Sequence, residues 1–266
     1  MPGFLAEKIL TSKARAGSQD MKKSHLISVI LAAGKGTRMK SSLPKVLHKI
    51  AGKTMIERIY TETKIVSNDI IFVIGSGKVE KHISEYKNCR SVYQRKKLGT
   101  ADALAKVKKL TGSSSCRLLV VPGDVPMLRS SDLKHLIDFD LSNANDISIL
   151  SASADNPFGY GRIIKKNGKV IEIREELDAS AAEKRIKIIN SGIYIFRAPA
   201  IYALLAKIKP NPLKKEFYLT DVIKIAAAAG LKIKNLNADG DSLLMGINSQ
   251  NDLSLAEKEW KKNKEK

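Results

Sequence analysis

From Leu26 onward the chain alternates short apolar runs with longer stretches in which apolar residues recur every three or four positions. The short runs predict strands at 26–31, 69–74, 117–121, 146–152 and 188–196. The longer stretches predict helices at 54–66, 100–110, 131–137, 198–208 and 219–229, several of them behind a Ser or Thr able to cap the first free N–H groups. Strand and helix taking turns in this way is the mark of βαβ units, so the expected class is α/β with a mainly parallel sheet flanked by helices. One interruption alters that picture. Residues 162–165 and 169–174 flank Asn167-Gly168, a dipeptide that takes positive φ cheaply and so predicts a β-hairpin, which makes the sheet mixed.

Outside this rhythm lie the two ends. Residues 1–24 are polar with no apolar period, and Met21 followed by two lysines reads as a possible native start, so a disordered leader or added remnant is expected there. Residues 25–253 form the expected domain, and 254–266 continue a helix that begins near Ser249 and frays into a lysine-rich tail. No internal repeat and no hexapeptide period is visible.

Composition narrows the class. A chain of 266 residues that is 43% hydrophobic can bury a core unaided, as one large domain or two small ones. No apolar run approaches the roughly 20 residues that cross a bilayer, and no signal core opens the chain, so a cytoplasmic protein with no membrane partner is expected. Cys89 and Cys116 have no C-x-x-C spacing and no nearby histidine cluster; both read as small buried hydrophobes rather than zinc ligands or a disulfide. A formal charge of +20 would suit nucleic acid, but the cations are scattered along the chain and aromatics are only 5%, which favours an anionic small substrate instead.

The candidate chemistry begins directly after the first predicted strand. Leu31-Ala-Ala-Gly-Lys-Gly-Thr-Arg-Met39 is a glycine-rich turn through which backbone N–H groups can approach phosphates. Its spacing excludes a Walker A loop, which has four residues between its first Gly and Gly-Lys-Ser/Thr, and a dinucleotide fingerprint, whose third Gly would stand at Met39. By itself such a turn is equally a tight connection. Lys35, Arg38 and Lys45 add the missing argument: Arg38 can fork onto phosphate oxygens, and Lys45 supplies a point charge behind Leu43-Pro44. A second loop, Val121-Pro-Gly-Asp-Val-Pro126, puts Asp124 at the same carboxyl edge, where one carboxylate opposite phosphates suffices for Mg²⁺; the alternative is a turn cap.

These motifs bring a resemblance. Together with L-P-K-V-L-H at 43–48, A-G-K at 51–53, Q-x-x-x-L-G-T-A at 94–101, G-Y-G-R-I at 159–163, I-N-S-G-I-Y at 189–194, Y-L-T-D at 218–221 and G-I-N at 246–248, the stretch from about Ile27 to Leu253 resembles a bacterial enzyme domain. That domain is the uridylyltransferase of the bifunctional N-acetylglucosamine-1-phosphate uridylyltransferase/glucosamine-1-phosphate acetyltransferase. The resemblance implies a Rossmann-like nucleotidyltransferase fold whose hairpin insertion serves the sugar. It implies transfer of UMP from UTP to N-acetylglucosamine-1-phosphate, with Mg²⁺, on the way to cell-envelope precursors. Nucleotide binding would fall to Ala32, Ala33, Gly34, Lys45, Gln94, Gly99 and Thr100, and catalysis to Arg38 and Lys45. The amino sugar would fall to Gly161, Glu175, Asn190 and Thr220, and the metal to Asp124 and Asn248. A glutamine amide, with one donor and one acceptor, suits a pyrimidine edge, although a surface glutamine reads identically in sequence.

Three positions depart from the family pattern: Pro122 replaces a common aromatic, Leu177 a frequent lysine, and Asp102 a common histidine. With no hexapeptide period after the domain, the acetylated sugar is expected to come from a separate acetyltransferase. Two alternatives remain open at this level. One is a nucleotidyltransferase for another sugar phosphate or base; the other is a nucleic-acid-binding or regulatory protein that keeps the fold.

Overall fold

The computed structural model describes residues 25–212, 214–238 and 246–264. The expected leader and the last two residues lie outside that range. In chain order the strands are β1 (Leu26–Ala32), β2 (Lys49–Ile50), β3 (Lys53–Thr54), β4 (Asp69–Ile74), β5 (Cys89–Tyr93), β6 (Cys116–Pro122), β7 (Ile147–Ser153), β8 (Arg162–Lys166), β9 (Lys169–Arg174), β10 (Ile188–Ala198) and β11 (Ile233–Ala238). The α-helices are α1 (Met55–Lys64), α2 (Gly77–Ile83), α3 (Thr100–Lys106), α4 (Lys108–Thr111), α5 (Ser130–Asn143), α6 (Ala181–Lys184), α7 (Ala200–Leu205), α8 (Asp221–Ala228) and α9 (Gln250–Lys264).

The main sheet runs β11-β7-β10-β6-β1-β4-β5. β1 pairs parallel with β4 and β6, and β4 with β5; β10 alone reverses, antiparallel to both β6 and β7, and β11 returns parallel to β7. The hairpin β8–β9 joins through Arg162 opposite Ile189 of β10. The fold is therefore a mixed, mainly parallel α/β sheet, and the Asn167-Gly168 turn has positive φ at both residues, as the dipeptide required.

Successive side chains of a strand point to opposite faces, and here both faces are covered. Val29, Leu118, Val120, Tyr194 and Phe196 pack under α3, α7 and α8 through Leu104, Ile201 and Val222. Ile30, Phe72, Leu119, Val121 and Ile195 pack under α1, α2 and α5 through Ile59, Val79 and Leu136. Such two-sided burial explains the near-continuous apolar runs of β4 and β6. β5 and β11 lie at the sheet edges, are half exposed and polar, and so escaped the hydrophobic pattern. Cys89, on β5, is only half-buried, which corrects the reading of both cysteines as buried; Cys116 is buried. The single helix expected at 100–110 is broken at Val107 into α3 and α4. Helix α9 crosses residue 253, and its Ala256 and Trp260 pack with Ile50 and Met55, so the chain from 254 to 260 shares the body of the domain. Among the described residues no helix is long and apolar enough to cross a membrane.

Candidate functional site

β1, β4, β5 and β6 lie in parallel register, so their carboxyl ends at Ala32, Ile74, Tyr93 and Pro122 form one edge. The loops expected to meet phosphate, base and metal all leave from it, as in open α/β sheets generally. The glycine-rich loop turns at Gly36, where φ is 60° and a Cβ would lie 2.8 Å from the Cβ of Lys45. Conformation and contact both demand glycine there. One 3₁₀ turn, Thr37–Met39, then buries Met39 and leaves Arg38 exposed. Pro44 starts a second, Lys45–Leu47, whose buried Val46 and Leu47 anchor Lys45 from behind.

The second loop lies directly on the first. Gly123 N–H donates to the Leu31 carbonyl at 2.9 Å, and a Cβ at 123 would meet that oxygen at 2.8 Å. Lys45 Nζ consequently reaches Asp124 Oδ2, and it also donates to Asn248 Oδ1 at 3.0 Å. Arg38 Nη2 donates to the same Asn248 oxygen at 3.0 Å. The structure thus gathers Arg38, Lys45, Asp124 and Asn248 at one point, whereas Lys35 stands exposed away from these contacts. A carboxylate oxygen and an amide oxygen converging on one ammonium form a hard-oxygen pair of the kind Mg²⁺ takes, the rest of its shell being phosphate and water. Among the described residues no group of three or more His, Cys, Asp or Glu is placed to hold a metal ion.

Sequence reasoning missed what holds Asn248. Asp252 Oδ2 accepts from the backbone N–H groups of Asn248 and Ser249 at 2.8 and 2.9 Å, while Ser249 Oγ accepts from Asp252 N at 3.2 Å. This is a capping box at the start of α9, and its signal, Ser-x-x-Asp ahead of an amphipathic run, was present in the text. Ile247 N–H also donates to Asp124 O at 2.8 Å, and Gln250 Nε2 to Met39 O at 3.2 Å, tying the helix start to both loops.

Of the residues expected to meet the base, Ala32 and Ala33 are buried and Gly34 is exposed. Gln94 is buried at 3% exposure beyond the end of β5, its Nε2 donating to Gly99 O at 2.9 Å and to Asp102 Oδ2 at 2.8 Å. A Cβ on Gly99, φ 103°, would fall 2.5 Å from Phe217 O. Thr100 Oγ1 accepts from Leu219 N–H at 3.0 Å, which commits that hydroxyl to the fold.

The four residues expected for the sugar also meet. A Cβ on Gly161 would lie 3.6 Å from Glu175 Oε2, 3.6 Å from Asn190 Cβ and 2.9 Å from Ile173 Cγ2, and Thr220 Oγ1 donates to Glu175 Oε1 at 2.7 Å. Asn190 stands at the β10 bulge with Oδ1 accepting from Gly192 N–H and the Tyr194 hydroxyl, which leaves Nδ2 as its donor. Burial pushes the Glu175 carboxyl above the usual range, with Asp221 and Asp178 adding to this and the Thr220 hydroxyl opposing it. Leu177 is 72% exposed beyond this group, and Pro122 packs where a Cβ on Gly192 would meet its ring at 2.9 Å.

Comparison with known proteins identifies the family. Residues 27–256 match the model of the nucleotidyl transferase family. The chain is 39% identical over 233 residues to the bifunctional protein GlmU of Streptococcus thermophilus, covering 86% of this chain and 50% of that protein. It is 39% identical over 237 residues to GlmU of Caldanaerobacter subterraneus subsp. tengcongensis, covering 88% and 51%. The chain therefore spans about half the length of the curated relatives it matches. Among solved structures it is similar to a UDP-glucose pyrophosphorylase complexed with UDP-glucose, with TM-score 0.73, 17% identity and coverage of 90% and 99%. It is also similar to a putative glucose-1-phosphate thymidylyltransferase from Bacillus anthracis, with TM-score 0.67, 20% identity and coverage of 88% and 94%. At those identities the structural likeness speaks to fold.

Proposed function

The chain belongs to the nucleotidyl transferase family, and from that premise we propose that it joins UTP to N-acetylglucosamine-1-phosphate, releasing pyrophosphate and forming UDP-N-acetylglucosamine. The observation that carries the proposal is the convergence of Arg38, Lys45, Asp124 and Asn248 beside the glycine-rich turn, with Gly161, Glu175, Asn190 and Thr220 grouped at the hairpin. The likeness to the GlmU proteins supports the choice of sugar and base.

In this reading a phosphate oxygen of the sugar phosphate attacks the α-phosphorus of UTP in line, the new P–O bond forms, and the α–β bridge breaks to release pyrophosphate. The attacking oxygen is already anionic, so no general base is needed and the chain's task is alignment and charge neutralisation. The turn at 32–36 presents backbone to the nucleotide, Arg38 forks onto phosphate oxygens, and Lys45 moves from Asp124 to a phosphate as the nucleotide arrives. Asp124 and Asn248 would hold Mg²⁺, which when bound supplies Lewis-acid charge to the phosphates. Glu175 and Thr220 accept from sugar hydroxyls, and Asn190 Nδ2 donates to the N-acetyl carbonyl. In this reading the reaction takes place in the cytoplasm, where UTP is available.

Pyrophosphate release measured with four nucleoside triphosphates against several sugar 1-phosphates tests this. The expected result is release at the highest kcat/KM with UTP and N-acetylglucosamine-1-phosphate, other pairs being measurably slower, with the product's mass confirmed. Release with another pair at equal kcat/KM, such as UTP with glucose-1-phosphate, would reassign the substrate. No release with any pair, together with RNA binding of steep salt dependence, would favour the non-enzymatic reading.

A further inference from the structure

The buried amide of Gln94 has a fixed orientation, and chemistry assigns it. Its Nε2 stands 2.9 Å from the Gly99 carbonyl and 2.8 Å from Asp102 Oδ2, both of them acceptors. An atom flanked by two acceptors must be the NH₂ end, which has one hydrogen for each; reversed, Oε1 would face two oxygens. Asp102 is itself restrained, its Oδ1 accepting from Lys106 Nζ at 2.7 Å one helical turn later. The Gly99 carbonyl sits in a segment locked against the chain beyond it: Phe217 N–H donates to Leu98 O at 2.7 Å, Ala101 N–H to Phe217 O at 3.0 Å, and Leu219 N–H to Thr100 Oγ1. Both amide hydrogens are thus committed within the protein, and Oε1 is the polar atom Gln94 has left to offer a ligand.

We propose that Asp102 is a positioning residue that sets the choice of base, by holding the Gln94 amide so that its ligand-facing atom is an acceptor. The inference rests on the uridylyl-transfer reading, in which Gln94 meets the base. An acceptor pairs with a ring that carries an imide N–H, as uracil and thymine do at N3. It repels cytosine, whose N3 presents a lone pair at the same place. Without Asp102 the Gly99 carbonyl holds one hydrogen only, and the charge-assisted second bond, the stronger of the two, is lost. The amide can then turn toward a base that asks for a donor. Because the mismatch leaves buried polar groups unpaired, the effect falls on discrimination rather than on the chemical step.

The test measures pyrophosphate release with UTP, CTP and dTTP for the whole chain and for Asp102→Ala, Asp102→Asn, Gln94→Ala and the Asp102→Ala/Gln94→Ala double variant, with melting curves for each. Asp102→Ala is expected to lower the UTP-over-CTP ratio of kcat/KM by roughly tenfold, mainly through the KM for UTP with kcat retained. The UTP-over-dTTP ratio should stay unchanged, since both bases carry the N3–H. Asp102→Asn, whose Oδ1 still accepts from Nε2, should restore most of the preference, and Ala at 102 should add nothing to the ratio in the Gln94→Ala background. If Asp102→Ala does not fold, Asp102→Ser, too short to reach Nε2, carries the same expectations. An unchanged UTP-over-CTP ratio in a folded Asp102 variant, or an equal fall with and without Gln94, overturns the positioning role alone. Wild-type protein that uses UTP and CTP equally, or neither, overturns the uridylyl-transfer reading and this inference with it.

Discussion

Lys45 is where sequence position and chemistry meet most tightly. Its side chain is only 13% exposed and lies between the Asp124 carboxylate and the Asn248 amide, so its ammonium is held beside the glycine-rich turn, within a short swing of a bound phosphate. Lys45→Ala is expected to lower kcat/KM by about 10² to 10³, the usual cost of removing one preorganised charge from a transition state. Steady-state kinetics checks this, and a loss below about threefold would return Lys45 to the role of a solvated surface charge. Glu175 supports a pH prediction. Its carboxyl is held above the ordinary range chiefly by burial, so as pH falls it takes up its proton at values where exposed carboxylates remain ionised. A proton on Glu175 removes an acceptor for sugar hydroxyls. The KM for the sugar phosphate should therefore rise as pH is lowered through that raised value, and Glu175→Gln should flatten this limb while leaving the KM for UTP unaffected. The sign for stability is the opposite: a raised folded pKa contributes stability below the unfolded value, which is lost as pH rises through the folded one.

Among the elements, α9 bears on the site through its first turn, which holds Asn248. Arg58 stacks over Trp260 at 3.8 Å, and Leu253, Ala256 and Trp260 seat the helix on Ile50 and Met55. The capping box at its start then presents Asn248 to Lys45 and Arg38. Asp252→Ala removes the acceptor for two backbone N–H groups and is expected to cost about 1 kcal/mol of stability. Activity should fall further than that loss explains, because Asn248 is no longer held. Urea unfolding beside kcat/KM on the same preparation tests this, and an unchanged kcat/KM in the folded variant would show that Asn248 is positioned by other contacts. The pattern of the chain predicted a helix beginning near Ser249, although the Ser-x-x-Asp start, an equally local signal, went unread. It did not predict that this helix start would lie beside a loop over two hundred positions earlier, as the Gln250 to Met39 hydrogen bond shows it does.

For the molecule as a whole, the layers are joined away from the site by a buried ion pair. Arg117, at the amino end of β6, meets Asp140 of α5 at 2.8 Å, and Asp140 also accepts from Ser148 of β7 at 2.6 Å. Burial pushes the Asp140 carboxyl up and the Arg117 guanidinium down in spite of the pairing, so desolvation outweighs their attraction and neither partner can be removed alone cheaply. Asp140→Ala is expected to destabilise the fold by about 3 kcal/mol or more, as breaking a buried pair does. Because the pair lies at the end of β6 opposite the candidate site, the folded fraction should keep its KM values; a shift in KM would mean the pair also shapes the site. What the sequence determined by itself was the α/β class, the five main strands, the hairpin and the glycine-rich and Gly-Asp loops at one sheet edge; the residues expected for base and sugar came from the family resemblance. The former rest on local rules: period, turn chemistry and motif spacing. The edge strands β5 and β11 were illegible because half-exposed strands need no apolar alternation, and the reversal of β10 is a matter of pairing that no period encodes. Only the tertiary structure decided that Arg38, Lys45, Asp124 and Asn248 share one point and that Asp102 orients Gln94. Those contacts join residues distant in the chain or depend on which way one amide turns, and both are set by packing, which acts through space and leaves no mark on sequence spacing.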